Sequence, residues 1–303
     1  MKRLRTLWLL AVVGAGVIAV LPFLAGSAAA SAHKPPTPHG GKLAPGKAPT
    51  KVRGATSFSC GMSVTSNFTL TADENCSGYG IYIEAPGVTV NLGGHTLTGD
   101  GSTGYGVEAD YGNDTVTNGI ITSFQYGVVD YGNGDKVTNT QIDDSVYDGI
   151  WADGNNSTFS GNYLLANGES GILNYYESGG SDMNNWLESN ATYGIYSEYA
   201  TGLTISGNKA LNTGSGGYGY VVYGTGKVTG NVANGNAVDG FWVDGNTSGF
   251  TPTINVSGNR AAFNGGYGFD VPAGGAVDGG GNVVQANGNS AECLNIVCHA
   301  VDS

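Results

Sequence analysis

Between residues 60 and 298, apolar residues recur in short alternating runs, not in a helical stripe. Val88-Thr89-Val90-Asn91-Leu92, Leu203-Thr204-Ile205-Ser206 and Gly240-Phe241-Trp242-Val243-Asp244 are examples. Alternation at every second position is the period of a strand with one buried face. Gly, Asn or Asp ends each run before it can extend. A sustained 3.6-residue repeat is missing, and a chain so rich in Gly and Asn is a poor helix former. The pattern predicts an all-β chain of short strands joined by tight turns.

The runs themselves repeat. Asparagine recurs at Asn118, Asn139, Asn162, Asn185, Asn208, Asn231, Asn259 and Asn282, in steps of 21, 23, 23, 23, 23, 28 and 23 residues. A second series pairs glycine with a bulky apolar residue: Gly106-Val107, Gly127-Val128, Gly149-Ile150, Gly171-Ile172, Gly194-Ile195, Gly219-Tyr220, Gly240-Phe241 and Gly268-Phe269. Two series sharing one period mark a solenoid. A repeat of about 22 residues holds three short strands and three turns, and coils of that size stack as a parallel β-helix. About nine coils at roughly 4.8 Å each give a rod on the order of 45 Å long. Asn suits the turns because it tolerates the left-handed conformation, and stacked amides bond from coil to coil. The glycines read as tight corners.

Alternation assigns faces to the strand after each glycine. Positions one and three point inward, as Val107, Val128, Ile150 and Ala109, Ala152, Val222 illustrate. Asp130 and Asn174 fall at inward positions, which predicts a local shift of register there. Positions two and four then form an outer band of aromatics and carboxylates. Large exposed apolar surface commonly marks a contact site; aromatic faces stack on sugar rings and carboxylates accept from hydroxyls. The candidate ligand-binding residues are Trp151, Asp153, Tyr175, Tyr196, Glu198, Tyr223, Trp242 and Asp244. Against that reading, aromatic ladders also simply pack on one another across any β-sheet.

Charge and cysteine bound the setting. Residues 1–59 carry eight Lys or Arg and no acid; the rest carries four basic residues against all 24 acids, a formal charge of −20. Such a surface repels nucleic acid and other polyanions. Lys2, Arg3 and Arg5, the apolar run from Leu7 to about Leu24 and Ala30-Ser31-Ala32 read as a secretory signal peptide over 1–32. The run is also near the length of a membrane anchor, so a membrane contact follows only if the segment is uncleaved. Residues 33–55 are basic and Pro/Gly-rich and read as a disordered linker, leaving 56–303 as one β-helix domain, expected to be a monomer. Export permits disulfides. Of three possible connectivities, the local pairs Cys60/Cys76 and Cys293/Cys298 are expected, since each brackets one end of the array.

The repeat, with the entry segment Gly87-Val88-Thr89-Val90-Asn91-Leu92-Gly93-Gly94-His95-Thr96-Leu97-Thr98-Gly99, resembles the right-handed parallel β-helix family, the pectate-lyase-like superfold of secreted bacterial type. The resemblance implies the fold and leaves the chemistry open. A lyase would need a Ca²⁺ site and a basic residue beside the substrate, and the body has only Lys136, Lys209, Lys227 and Arg260. Of the polygalacturonase-like motifs only Asp143-Asp144 is matched, and an acidic pair is more often a solvated turn. An epimerase-like His is limited to His95, which reads better as a capping residue, and His299. For a hydrolase, Asp110, Asp153, Glu198 and Asp244 are the first candidates, but Asp153 and Glu198 lie two coils, roughly 10 Å, apart. Calcium is a separate candidate, held by Glu108, Asp110, Asp114, Asp130 and Asp135. The expectation is therefore a secreted, wall- or matrix-associated protein that binds a polysaccharide without catalysis. The alternatives are a polysaccharide lyase or glycoside hydrolase, and a surface scaffold or adhesin.

Overall fold

A computed structural model describes residues 57–245 and 254–301. The proposed signal peptide and linker lie outside the described residues. Among the described residues every regular element is a strand, and the strands pair in parallel with the equivalent strand one coil on. The coil is three-sided. Sheet one runs through Ile81–Ile83, Tyr105–Ala109, Tyr126–Asp130, Ile150–Ala152, Ser170–Tyr175 and onward to Cys293–Leu294. Sheet two contains Thr89–Asn91, Thr158–Ser160 and Ser181–Met183, and sheet three contains Thr96–Thr98, Tyr163–Leu165 and Trp186–Glu188. Some strands bend through a corner and serve two sheets, as Tyr193–Ser206 does for sheets one and two. The rod has about ten turns, one more than the repeat count predicts, because the entry and exit coils lack the Asn and Gly signals. Disulfides Cys60–Cys76 and Cys293–Cys298 close its two ends.

The interior is three inward columns, one per sheet, and their volumes compensate. Where sheet one contributes Ile150 and Ile172, sheet three contributes Leu164 and Leu187. Where sheet one contributes Tyr220 and Phe241, stacked with Phe269 at 4.6 Å with planes 4° apart, sheet three shrinks to Ala233 and Ala261, followed by Val284. Constant volume per coil is what close packing demands.

The repeated asparagines split into two roles. Asn162, Asn185, Asn208, Asn231, Asn259 and Asn282 are buried and form a ladder. Each side-chain amide donates to the Oδ1 of the next at 3.0–3.1 Å, and each Oδ1 also accepts the preceding backbone N–H. The left-handed residue of the turn is the one before each of them: Gly161, Asn184, Gly207, Gly230, Gly258 and Gly281. Asn118 and Asn139 belong to that left-handed column (φ 64° and 50°), not to the ladder as the period suggests. Thr140 occupies the ladder position in their part of the rod and donates its N–H to Asn162.

A second ladder runs five residues on, through Asn167 and Asn190, then Asn236, Asn264 and Asn287. Thr213 interrupts it, accepting nothing through its buried hydroxyl. At the far end the Asn287 amide donates to the Glu292 carboxylate at 3.0 Å. The repeated glycines are required for room and not for a left-handed turn. A Cβ at Gly194 would stand 2.5 Å from the carbonyl oxygen of Gly219 and 2.6 Å from the Ala210 methyl.

Register does not shift at Asp130 or Asn174, contrary to the alternation argument. Ala152 pairs with Asp130 on one side and Asn174 on the other, and both are buried at inward positions. The rod holds polar groups in its core.

Candidate functional site

The outer surface of sheet one gathers rings from three positions of each coil. Trp151, Tyr196 and Trp242 stand at the second position after the glycine. Tyr131, Tyr175 and Tyr223 stand at the fourth. Alternation projects both sets outward, although Val129 and Val221, also at second positions, are covered by their neighbours. A third column lies immediately before the glycine: Tyr105, Tyr126, Tyr193 and Tyr218. Sequence reading missed this column, yet the Tyr-Gly pairs are visible in the chain.

The rings form two patches. The first joins Tyr79, Tyr82, Tyr105, Tyr126, Tyr131 and Trp151 at centroid distances of 5.2–5.9 Å. The second joins Tyr193 to Tyr196 at 4.8 Å, Tyr193 to Tyr218 at 6.1 Å, Tyr196 to Tyr223 at 6.2 Å and Tyr218 to Trp242 at 6.4 Å. Beside it Tyr176 meets Tyr175 edge-on at 4.6 Å and lies tilted against Tyr199 at 5.0 Å along the edge of the sheet. The coil between the patches has Ser170 and Leu173 at two of the three ring positions and keeps a ring, Tyr175, at the third. Tyr196, Glu198, Tyr199 and Tyr223 enclose an open pocket of about 270 Å³. Its one carboxylate is flanked by three phenols.

Each candidate residue therefore lies on sheet one or at its edge. Trp151, Tyr196, Tyr223 and Trp242 join the ring patches, Glu198 lines the pocket, and Asp153 and Asp244 continue the outer row. Rings that lie against one another lose water, and burial raises the phenol pKa of Tyr82 and Tyr126 to about 12. Glu108, half-buried in the first patch, is raised to about 7 by desolvation and then by the charge of Asp110. Among the described residues, the sheet-one segments of the strands carry no Lys or Arg.

The acids proposed for calcium do not share a site. Glu108 and Asp110 face outward, whereas Asp114 and Asp135 line the corner between sheets one and two, where they accept the backbone N–H groups of Val88 and Asp114 at 2.8 and 2.7 Å. Asp130 points into the core. Among the described residues no group of three or more His, Cys, Asp or Glu converges as a metal site. Asp143-Asp144 is a strand end followed by a left-handed turn residue. His95 Nδ1 lies 3.2 Å from Asp73 Oδ1 in the entry coil, the capping role expected of it.

The core acids are a different group. Asp130, Glu177 and Asp182 are buried, with Asn174, Ser157 and Ser197 among them. Asn174 donates to Asp182 at 2.8 Å and Ser157 N–H to Glu177 at 3.1 Å. Other oxygens of this set, on Glu177, Asp182, Asn174 and Ser197, have no hydrogen-bond partner. Desolvation raises Glu177 to about 9, aided by Asp182, and raises Asp182 itself to about 7. Asp130 is raised by desolvation and by Asp135 beside it. At neutral pH Glu177 is therefore held protonated, as buried carboxyls are, and Asp182 lies near its midpoint.

A family model described as "Right handed beta helix region" matches residues 61–210 and 105–255. Among solved structures, pectate lyase Pel9A superposes with a TM-score of 0.51 at 17% identity, over 76% of this chain and 68% of that one. The periplasmic alginate epimerase AlgG gives 0.50 at 17% identity, over 73% and 58%. The mannuronan C-5 epimerase AlgE4 A-module of Azotobacter vinelandii gives 0.50 at 15%, over 80% and 85%. At these identities the likeness is one of fold. No curated protein sequence matches the chain significantly.

Proposed function

The chain belongs to the right-handed β-helix family, and from that premise we propose that it is an exported protein that holds an extracellular or cell-wall polysaccharide on the outer face of sheet one, without catalysis. The observation that carries this reading is the ring surface itself. Packing alone would explain one ring column, but Tyr196 and Tyr223 from two columns and Tyr199 from the sheet edge line an open pocket with the Glu198 carboxylate in it. Rings supply sugar-stacking platforms, and Glu198, Asp153 and Asp244 supply acceptors for hydroxyls. The lack of cations on the face fits a neutral or weakly charged glycan. The structural neighbours are named for pectate and alginate, which supports a polysaccharide as the partner.

The test is titration of the mature protein with a polysaccharide panel, with and without Ca²⁺, read by tryptophan fluorescence. A saturable shift with one glycan is expected, weakened at least tenfold in Trp151→Ala/Trp242→Ala. A rod that retains no glycan sinks the reading and favours a scaffold or adhesin with a protein partner.

Glu108 is the observation that favours an enzyme instead. Glycoside hydrolysis needs one carboxyl protonated near neutral pH beside one that is ionised, and Glu108 is raised to about 7 by desolvation and by the charge of Asp110, two residues away. Release of reducing ends, lost in Glu108→Gln, would establish that alternative.

A further inference from the structure

The outer surface of sheet three has the opposite character. Its outward column reads Gln141, Tyr163, Trp186, Lys209, Val232, Arg260 and Val283 along the rod. Lys227 lies around the corner, exposed on sheet two. Three of the four basic residues of the body thus fall in one region, where the nearby carboxylate is Glu188. Residues 199–238 and 245–269 contain no Asp or Glu. On a body with a formal charge of −20, scattered cations would find carboxylates; these do not. Among the described residues, none of the three makes a salt bridge.

The cations are also held in place. Trp186 donates its indole N–H to Glu188 at 2.9 Å, and Tyr163 donates its hydroxyl to the same oxygen at 2.9 Å. Those bonds fix the indole and occupy the one nearby carboxylate. Lys209 Nζ then rests over the Trp186 ring, 4.8 Å from its centroid. Arg260 is braced by Gln285, its Nη2 donating to Oε1 at 2.8 Å. A cation held at a defined point loses less entropy on binding an anion than a free lysine does. Lys209 and Arg260 are two coils apart, roughly 10 Å, with Val232 as an apolar platform between them. That spacing is close to the advance of two pyranose rings along an extended chain.

We infer that this strip is a second binding surface, for a glycan carrying one anionic group on every second ring, with Lys209 and Arg260 each taking a carboxylate and the intervening ring lying on Val232. It is separate from sheet one, and its ligand is of opposite character. The rod would hold two polymers on two faces.

The experiment is calorimetric titration of the purified full chain with a hyaluronate hexasaccharide, which has one carboxylate per two rings. Trp186 emission is recorded in parallel. Binding is expected at low ionic strength, weakening as salt is raised. It should fall at least tenfold in Lys209→Gln/Arg260→Gln and remain in Trp151→Ala/Trp242→Ala, which separates this surface from the one on sheet one. No binding at low salt overturns the inference, as does binding that the Lys209/Arg260 double variant leaves unchanged. Equal affinity for an oligogalacturonate of the same length, charged on every ring, overturns the spacing argument. Unaltered melting of the double variant excludes misfolding as the cause of any loss.

Discussion

Two stretches of the same interior solve the same packing problem with different chemistry. In the coils of residues 126–206 the inward columns include Asp130, Asn174, Ser197 and Asp182. In the coils from Tyr218 to Val284 the equivalent positions are Val222, Val243, Val228 and Val256, beside the stacked rings of Tyr220, Phe241 and Phe269. The backbone pairing and the Asn ladders are common to both. Coil-to-coil cohesion therefore resides in the shared hydrogen bonds, and the core side chains are free to differ. The price of that freedom is that one half answers to pH and the other does not.

The sharpest break is expected in the aromatic half. Phe241→Ala removes the middle ring of a three-ring stack and should destabilise by about 3–5 kcal/mol, read from the denaturant midpoint. A loss below about 1 kcal/mol would mean the rings are incidental to cohesion.

The polar half should respond in the opposite sense. Glu177 is raised from 4.5 to about 9 in the folded state. Its contribution to stability is complete below about 4.5 and is lost as pH rises toward 9, because the unfolded chain ionises first. Asp130 acts in the same direction. Melting temperature should thus fall across that window. Asp130→Ala places alanine in a column that already holds Ala109 and Ala152, and should stabilise by about 1–4 kcal/mol at pH 8 and flatten the pH profile. A melting temperature that rises with pH from 5 to 9 would refute neutral burial.

The shared device can be broken between the two halves. Asn208→Ala leaves the buried N–H and amide of Asn185 without their acceptor and should cost about 1–3 kcal/mol. The smallest effect repairs a gap. Thr213→Asn would give the second ladder its missing rung and raise stability by about 1 kcal/mol, measurable as a higher melting temperature. No gain would mean that the gap is already bridged.

The period and the facing of sheet one were legible because glycine and its apolar partner meet the same steric demand in every coil. What stayed hidden has physical reasons. A turn residue and a ladder residue are adjacent in sequence, so Asn118 and Asn139 look identical to Asn162 until the chain is folded. The second ladder is interrupted by Thr213 and absent in the early coils, where Phe124 and Ser145 occupy its place, so its period is broken. A polar residue at an inward position looks like a slip of register, and only the pairing of Ala152 with Asp130 shows that it is a buried acid. The cationic strip could not be seen from a count of four scattered basic residues, since proximity across coils is set by register.

The Asn ladders give the rod a direction. Every ladder oxygen faces the preceding coil, and one amide hydrogen of each rung faces the next. Sheets carry little net dipole of their own, so these aligned amides polarise the rod with its positive pole toward the final coil. The second ladder terminates there on the carboxylate of Glu292, much as an acid settles at the N-terminus of a helix. A stack of coils so oriented has two electrically unlike ends.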